Sequence, residues 1–467
     1  MNVSWADVWQ TAVGLAHVAL ALWASVHALL NKRDPRAAFG WIGLCWLLPF
    51  VGVALYGVFG INRVERRGRR LQGLSLARPR TPPQHFADVP LIQLQRIGSA
   101  VSGLPLLGGN HVRPLRNAVA AYPEMLAAID GATASVWLCS YIFDTGGACR
   151  EFTAALTRAA RRGVTVKVLV DGVGEWYSLP HPVRRLRRRG IDAARFLPPR
   201  LLPPSLSVNL RNHRKLMVVD GRLAFAGGMN IARRYAATRH RLATSDTHFR
   251  IEGPVVGQLA ATFARDWAFV TRETLPLPEP PPAAGTARVR VIGSGPDEDL
   301  DKLVLVLLGA VSVAHRSIRI MTPYFLPPRE LAAALQAAAL RGVTVEVILP
   351  RHSNLRFVDW AARHTMAYFM QYGVRLYFSP KPFDHSKLLM VDGVYALVGS
   401  ANLDPRSLRL NFELGVEVFD EAVCGDLEAG FEKVRARCRA IDPVVQAKRS
   451  LPVRLRDGVC WLFSPYL

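Results

Sequence analysis

Two short phrases carry the residue types that can do chemistry on a phosphodiester. The first runs His213-Arg214-Lys215-Leu216-Met217-Val218-Val219-Asp220-Gly221, followed by Gly227-Gly228-Met229-Asn230. The second runs His385-Ser386-Lys387-Leu388-Leu389-Met390-Val391-Asp392-Gly393, followed by Gly399-Ser400-Ala401-Asn402. In both, 17 residues separate the His from the Asn (213 to 230, 385 to 402). A His and a Lys two apart on an extended strand share a face, so an imidazole and an ammonium can meet one phosphate. The apolar run between Lys and Asp reads as a buried strand that holds them. Glycines let phosphate approach backbone N–H groups, and Asn adds a neutral donor. One match to His-x-Lys-x-x-x-x-Asp has odds of roughly 1 in 8,000 per starting position if residue usage is even. Two matches, each with Gly-x-x-Asn at the same offset, are not accidental.

The elements around them repeat as well. Arg162-Gly163-Val164-Thr165-Val166-Lys167-Val168-Leu169 returns as Arg341-Gly342-Val343-Thr344-Val345-Glu346-Val347-Ile348. Each follows an amphipathic helix (151–161 and 330–340), and an aromatic strand (136–143 and 318–325) precedes each helix. This is the βαβ pattern of a mostly parallel sheet, so the fold class is α/β in two tandem lobes. Repetition of a whole unit suggests one site shared between the lobes. The expected organisation is a membrane region over 1–70, a connector over 71–110, a first lobe over 111–274, a Pro-rich linker over 275–287, a second lobe over 288–445, and an amphipathic tail over 446–467.

The N-terminus reads as membrane. Residues 8–30 contain no Asp, Glu, Lys or Arg and are long enough to cross a hydrocarbon core of about 30 Å. No basic residue precedes the run and it is too long for a signal peptide. A second uncharged run covers 37–60, with Pro49 and Gly52 allowing either a second span or a kinked, re-entrant segment. Lys32, Arg33 and Arg36 lie between the runs, and Arg63, Arg66, Arg67, Arg69 and Arg70 follow them, which puts the bulk of the chain on the cytoplasmic side.

Of the 467 residues half are hydrophobic, and 59 Lys and Arg against 36 Asp and Glu give a formal charge of +23. Such a charge points to nucleic acid or an anionic membrane surface. The two apolar runs and the lack of a reader motif argue against nucleic acid. The stretches Arg184 to Arg189 and Arg233 to Arg241 suit lipid head groups or a solvated face. Leu451 to Leu467 suits a membrane interface or packing on the core. The six cysteines show neither CxxC nor zinc-like spacing, and no metal or cofactor is expected.

These residues resemble the paired motifs of the phospholipase D superfamily, from about Asn110 to the C-terminus. Asn212-His213-Arg214-Lys215, Gly227-Gly228-Met229-Asn230-Ile231, Asp246-Thr247-His248, Ser294-Gly295-Pro296-Asp297 and Phe463-Ser464-Pro465 are similar in particular to the bacterial cardiolipin synthase branch. The resemblance implies two phospholipase D-like lobes sharing one active site behind two N-terminal transmembrane or membrane-embedded helices, in the bacterial inner membrane. It further implies metal-free phosphatidyl transfer between two phosphatidylglycerol molecules through a phosphohistidine. The catalytic set would be His213, Lys215, Asp220, His385, Lys387 and Asp392; the residues leave open which histidine attacks, and the resemblance favours His213 as nucleophile with His385 as acid. Asn230 and Asn402 would bind phosphate. Asp246, 33 residues after His213, and Glu413, 28 after His385, resemble the family's histidine-orienting acids. Asp220 and Asp392 suit holding the motif strands rather than doing chemistry. His248 reads equally as a partner of Asp246 or as a surface residue. Donor preference and oligomeric state are open; another phosphatidyltransferase or a hydrolase is the alternative activity.

Overall fold

The computed structural model describes residues 5–32, 35–60, 89–147, 149–199, 210–236, 244–296 and 300–464, in two compact units, 1–72 and 73–467. Arg33, the arginines 63–70, the stretch 237–241, Asp297 and the last three residues fall outside the described set.

In the first unit a helix spans Trp5–Asn31, and within it Val8–Leu30 is long and apolar enough to cross a membrane, the one such helix among the described residues. The second apolar run is not one helix. Helix Pro35–Leu47 ends before a turn at Leu48–Phe50, and Val51–Leu55 resumes before a π-helical turn at Tyr56–Gly60. Pro49 explains the break, since proline has no N–H to donate and clashes with the preceding turn. The small residues Ala21, Ala24 and Ala28 let Cys45 and Tyr56 pack closely on the long helix. Tyr56 Oη lies 2.8 Å from His27 Nδ1, and Trp46 Nε1 donates to Ser25 Oγ at 3.1 Å.

In the second unit, the stretch expected to be a connector contains a helix, Val89–Ser102, as a correction to the sequence reading. Leu91, Leu94 and Val101 pack it against the second lobe's core, and Gln95 and Ser99 accept from the buried Arg290, so residues far along the chain define it. The first lobe holds β1 (Leu107–Arg116), β2 (Ser135–Ser140), β3 (Thr165–Asp171), β4 (Asp192–Phe196), β5 (Leu216–Val219), β6 (Leu223–Gly227) and β7 (Thr247–Glu252). The second holds β8 (Ala287–Ser294), β9 (Ser317–Met321), β10 (Thr344–Pro350), β11 (Arg375–Ser379), β12 (Leu388–Val391), β13 (Tyr395–Gly399), β14 (Glu413–Phe419) and the short β15 (Arg439–Ala440).

All fifteen form one sheet in the order 15-11-10-9-12-13-14-8-1-7-6-5-2-3-4. Reading outward from the β1–β8 junction, the lobes repeat strand for strand. Only β2-β3-β4 and β9-β10-β11 run parallel; every other pairing is antiparallel. The sheet is therefore mixed and mostly antiparallel, not mostly parallel. Parallel neighbours need a crossover, which the helices between β2, β3 and β4 and between β9, β10 and β11 supply, whereas the motif strands join β6 and β13 through tight turns, which forces antiparallel pairing. Helices Val256–Thr271 and Glu421–Arg435 cover one face of the sheet with a core drawn from both lobes. Separate cores back the opposite face of each lobe.

Candidate active site

The apolar runs of both motifs, β5 and β12, are buried along their whole length, and each Lys sits one residue ahead of its strand. At the far end of each strand the motif Asp makes a tight turn with positive φ, 51° for Asp220 and 54° for Asp392. Asp220 accepts from the backbone N–H of Thr133, Ala134 and Ser135 at 2.7–2.9 Å, where β2 begins. Asp392 does the same for His315, Arg316 and Ser317 at 2.7–2.8 Å, where β9 begins. Both aspartates thus pin the motif hairpin to its neighbour, a strand's length from the histidines.

The histidines meet across the lobes. His213 Nδ1 lies 2.9 and 3.1 Å from the two oxygens of Glu413, on β14 of the second lobe. His385 Nδ1 lies 2.9 Å from Asp246 Oδ2, just ahead of β7 in the first. Each ring therefore takes its carboxylate from the other half. Main-chain bonds stitch the same seam: His213 N donates to Phe412 O, Phe412 N to Arg211 O, and His385 N to Ser245 O. Arg214 crosses the seam as well, donating to the carbonyls of Glu413 (2.9 Å) and Ser294 (3.2 Å) while paired with Asp266. Asn212 Nδ2 also donates to Asp266.

The two half-sites then diverge. Glu413 additionally accepts from Ser400 Oγ and from Asn411 Nδ2 at 3.2 Å. At the position matching Ser400 the first lobe has Gly228, where a Cβ would stand 2.4 Å from Asp246 Oδ1. His385 Nδ1 has two further neighbours, Lys387 Nζ at 2.8 Å and Tyr235 Oη at 3.1 Å. Five residues after its Asn, the second lobe has Ser407 where the first has Tyr235.

Burial dominates the electrostatics. Desolvation lowers His213 to about 4, against the raising pull of Glu413, and holds His385 well below its ordinary value, so both rings are neutral near pH 7. Burial, aided by mutual repulsion, lowers Lys215 to about 7; burial lowers Lys387 to about 8. An entering anion would reverse that penalty. Burial pushes Asp246 up to about 8, opposed by Lys387, whereas Glu413 is held below its ordinary value, its burial outweighed by His213, Lys215 and Ser400.

Asn230 Oδ1 accepts from Ile142 N at 3.0 Å and its Nδ2 faces Tyr235 Oη at 3.4 Å. Asn402 Nδ2 donates to Ser407 Oγ at 3.1 Å. Both amides brace the loops beside the site. His248 is buried, not a surface residue, and desolvation holds it at about 3; its Nδ1 has no partner among the described residues. The sequence reading missed Tyr235, Ser400, Asn411 and Tyr141, whose ring stands edge-on to His213 at 5.2 Å with Lys215 Nζ 5.5 Å from its centroid. The signal for Tyr235 and Ser400 was available, since both sit where the repeats differ at a matched offset.

The family described as "Cardiolipin synthase, PLD-like domain" matches residues 125–267 and 307–435, one segment for each half of the seam. The chain belongs to this family. A second family, "Phospholipase D-nuclease N-terminal", matches residues 19–60. Among curated relatives, a cardiolipin synthase of Geobacillus sp. (strain WCH70) is 31% identical, covering 94% of this chain and 90% of its own. Cardiolipin synthase A of Pseudomonas aeruginosa (strain LESB58) is 33% identical, covering 95% and 93%. A cardiolipin synthase of Staphylococcus aureus (strain Mu50 / ATCC 700699) is 28% identical, covering 96% and 94%. Among solved structures, phosphatidylserine synthase of Haemophilus influenzae Rd KW20 superposes with a TM-score of 0.61 over 80% of this chain and all of its own, at 15% identity, which is a likeness of fold.

Proposed function

We propose that the protein is a cardiolipin synthase, moving a phosphatidyl group from one phosphatidylglycerol to another and releasing glycerol. The observation that carries the reading is the convergence of two His–Lys pairs in one buried site, each His held by the opposite lobe. Near-full-length likeness to curated cardiolipin synthases supplies the substrate class.

The hydrogen bonds around the two rings support an assignment of roles. Asp246, its carboxyl raised by burial, keeps its proton near neutral pH and donates to the single lone pair of His385 Nδ1, with the Lys387 ammonium close by and donating to His385 O. His385 then carries its proton on Nε2, ready to pass to a departing glycerol oxygen. His213 is the opposite tautomer: Nδ1–H donates to the ionised Glu413, leaving the Nε2 lone pair to attack phosphorus. His213 forms the N–P bond as the P–O bond to glycerol breaks; His385 Nε2 gives its proton to the departing oxygen while Nδ1 takes the carboxyl proton of Asp246, so the ring stays neutral. Next, Nε2 takes the proton of the acceptor hydroxyl as Nδ1 returns its own to Asp246, and the acceptor oxygen displaces His213 from phosphorus. Lys215 and Lys387 balance charge on the non-bridging oxygens. Asn230 and Asn402 act by holding the loops around the phosphate.

The organisation read from the sequence accompanies this proposal: a membrane region over 1–70 with two embedded segments, lobes over 111–274 and 288–445, and both lobes on the cytoplasmic face of the inner membrane. The test is incubation of purified protein with phosphatidylglycerol in mixed micelles. Cardiolipin and glycerol in equal amounts are expected; head-group release without a condensed lipid would replace this reading with a hydrolase.

A further inference from the structure

Three groups of apolar side chains in the lobes stand in solvent, and short chains of contacts join the first two towards the site. After β3, the 3-10 turn Gly174–Tyr177 and its exit expose Trp176, Tyr177 and Leu179 by 60%, 63% and 80%. This prong is tied to the chemistry, because Tyr177 lies against Tyr141 (6.4 Å between rings), and Tyr141 against His213. After β10, the matching connection of the second lobe exposes Leu355 and Phe357 by 46% and 63%. Its neighbour Asn354 accepts from Tyr324 Oη at 2.6 Å, and Thr322 Oγ1 donates to Tyr324 O while accepting from the N–H of Leu403, next to Asn402. The repeat has thus placed an apolar prong on each side of one site.

The third group is the helix Leu451–Leu462. It lies on the first turns of helix Arg356–Gln371: the Arg456 guanidinium stacks 4.4 Å over Trp360, Trp360 touches Phe357, and Trp461 stacks on His364 at 5.0 Å. Its other face shows Leu451, Leu455, Val459 and Leu462 to solvent at spacings of four, four and three, one continuous stripe on a 3.6-residue period. A stripe facing away from the core needs another apolar environment.

The charge around these groups says what that environment is. Exposed cations flank each: Arg184, Arg187, Arg188 and Arg189 beside the first prong, Arg351 and Arg356 beside the second, Lys448 and Arg454 beside the stripe. The carboxylates of the same elements are turned inward. Glu175 pairs with Arg195, Asp359 accepts from Ser353 N, and Asp457 is held by Arg449 and Arg456. Aromatic and aliphatic tips ringed by arginine, with acids withdrawn, complement an anionic lipid surface rather than a protein of mixed charge.

We propose that the two prongs and the outward stripe of the C-terminal helix seat the mouth of the active site directly on an anionic bilayer, so that a lipid phosphodiester reaches His213 and His385 without leaving the membrane. The proposal rests on the transfer reading above and goes beyond tethering by the N-terminal helix, which restricts distance but not which face meets the lipid.

The test uses the full chain reconstituted in phosphatidylcholine bilayers. Transfer is measured on long-chain phosphatidylglycerol within the bilayer and, separately, on short-chain phosphatidylglycerol added in solution. Combining W176S, L179S, L355S and F357S should cut the bilayer rate by at least ~10-fold and leave the short-chain rate within about 2-fold. L451S with L455S and V459S should act in the same direction. R184Q with R187Q, R188Q and R189Q should flatten the rise of rate with phosphatidylglycerol content. Quenching by brominated lipid, compared between the unaltered protein and W176F, should place Trp176 in the bilayer and reads the seat whether or not transfer occurs. Unchanged bilayer rates and no bromolipid quenching of Trp176 would overturn the proposal. So would a change from dimer to monomer in which both substrates lose rate together, because the stripe would then be an interface between copies. No transfer from either substrate by the unaltered protein, with quenching intact, would reject the transfer reading alone.

Discussion

The two half-sites place the same His, Lys and Asn at the same spacing, yet they hold their histidines by different means. Around His213 the second lobe assembles a carboxylate with its own donors: Ser400 and Asn411 both serve Glu413, which stays ionised. Around His385 the first lobe offers Gly228 in place of Ser400, and leaves Asp246 so short of donors that burial keeps a proton on it near neutral pH. Tyr235 and Lys387 then crowd the nitrogen that Asp246 also faces. A duplicated motif has therefore been differentiated not at the motif but in the residues that answer it from across the seam. Under the proposed mechanism one half gives up a lone pair and the other delivers a proton.

Removing either ring is the harshest way to test that division. His213→Ala and His385→Ala should each lower transfer by ~10²-fold or more. They should differ in a trapping experiment with donor labelled in its phosphatidyl group. His385→Ala is expected to hold covalent label when the leaving group needs no proton, and His213→Ala none; label on His213→Ala alone would reverse the assignment.

The carboxylates should separate next. Glu413→Gln removes an anion that fixes the Nδ1–H tautomer and should cost ~10²-fold or more in kcat. Asp246→Asn keeps a donor for His385 Nδ1 but cannot pass it a proton, so the loss should be ~10²-fold with glycerol as leaving group and much smaller with a leaving group that needs no proton. A loss that ignores the leaving group would show that Asp246 works ionised, as Glu413 does.

The pH profile gives a milder comparison. Because His213 is lowered to about 4, it stays neutral well below 6.5, so the acid limb of kcat/KM should lie below the ordinary histidine range. As pH rises through about 7 to 8, Lys215 loses its charge and Asp246 its proton, and kcat/KM should fall. In Asp246→Asn the contribution near 8 should vanish while the acid limb stays.

The smallest effects belong to the motif aspartates. Asp220→Asn and Asp392→Asn each weaken bonds to three backbone amides and should destabilise by about 1–2 kcal/mol. A thermal melt should register this without any displacement of the pH profile.

How far the sequence reaches follows the same division between local and distant causes. The buried motif strands and the helices before Thr165 and Thr344 are local patterns and were readable. The helix at 89–102 was not, because its partner Arg290, itself paired with Glu417, lies 191 and 195 residues along the chain from Ser99 and Gln95. Glu413 and Asp246 were recognisable as acids, but intervals of 33 and 28 residues count along the chain and carry no record of which lobe a side chain faces. The broken second apolar run shows the reverse case: hydrophobicity alone overstated its continuity, and Pro49 held the information.

The crossed carboxylates have a consequence for the chain as it is made. Synthesis delivers the first lobe, with His213 and Lys215, well before residue 413 exists. Until the second lobe arrives, His213 has no carboxylate to fix its tautomer and no partner ring to move a proton. A half-made or half-folded molecule beside the membrane is thus chemically silent. The arrangement ties assembly of the complete set of site groups to completion of the fold.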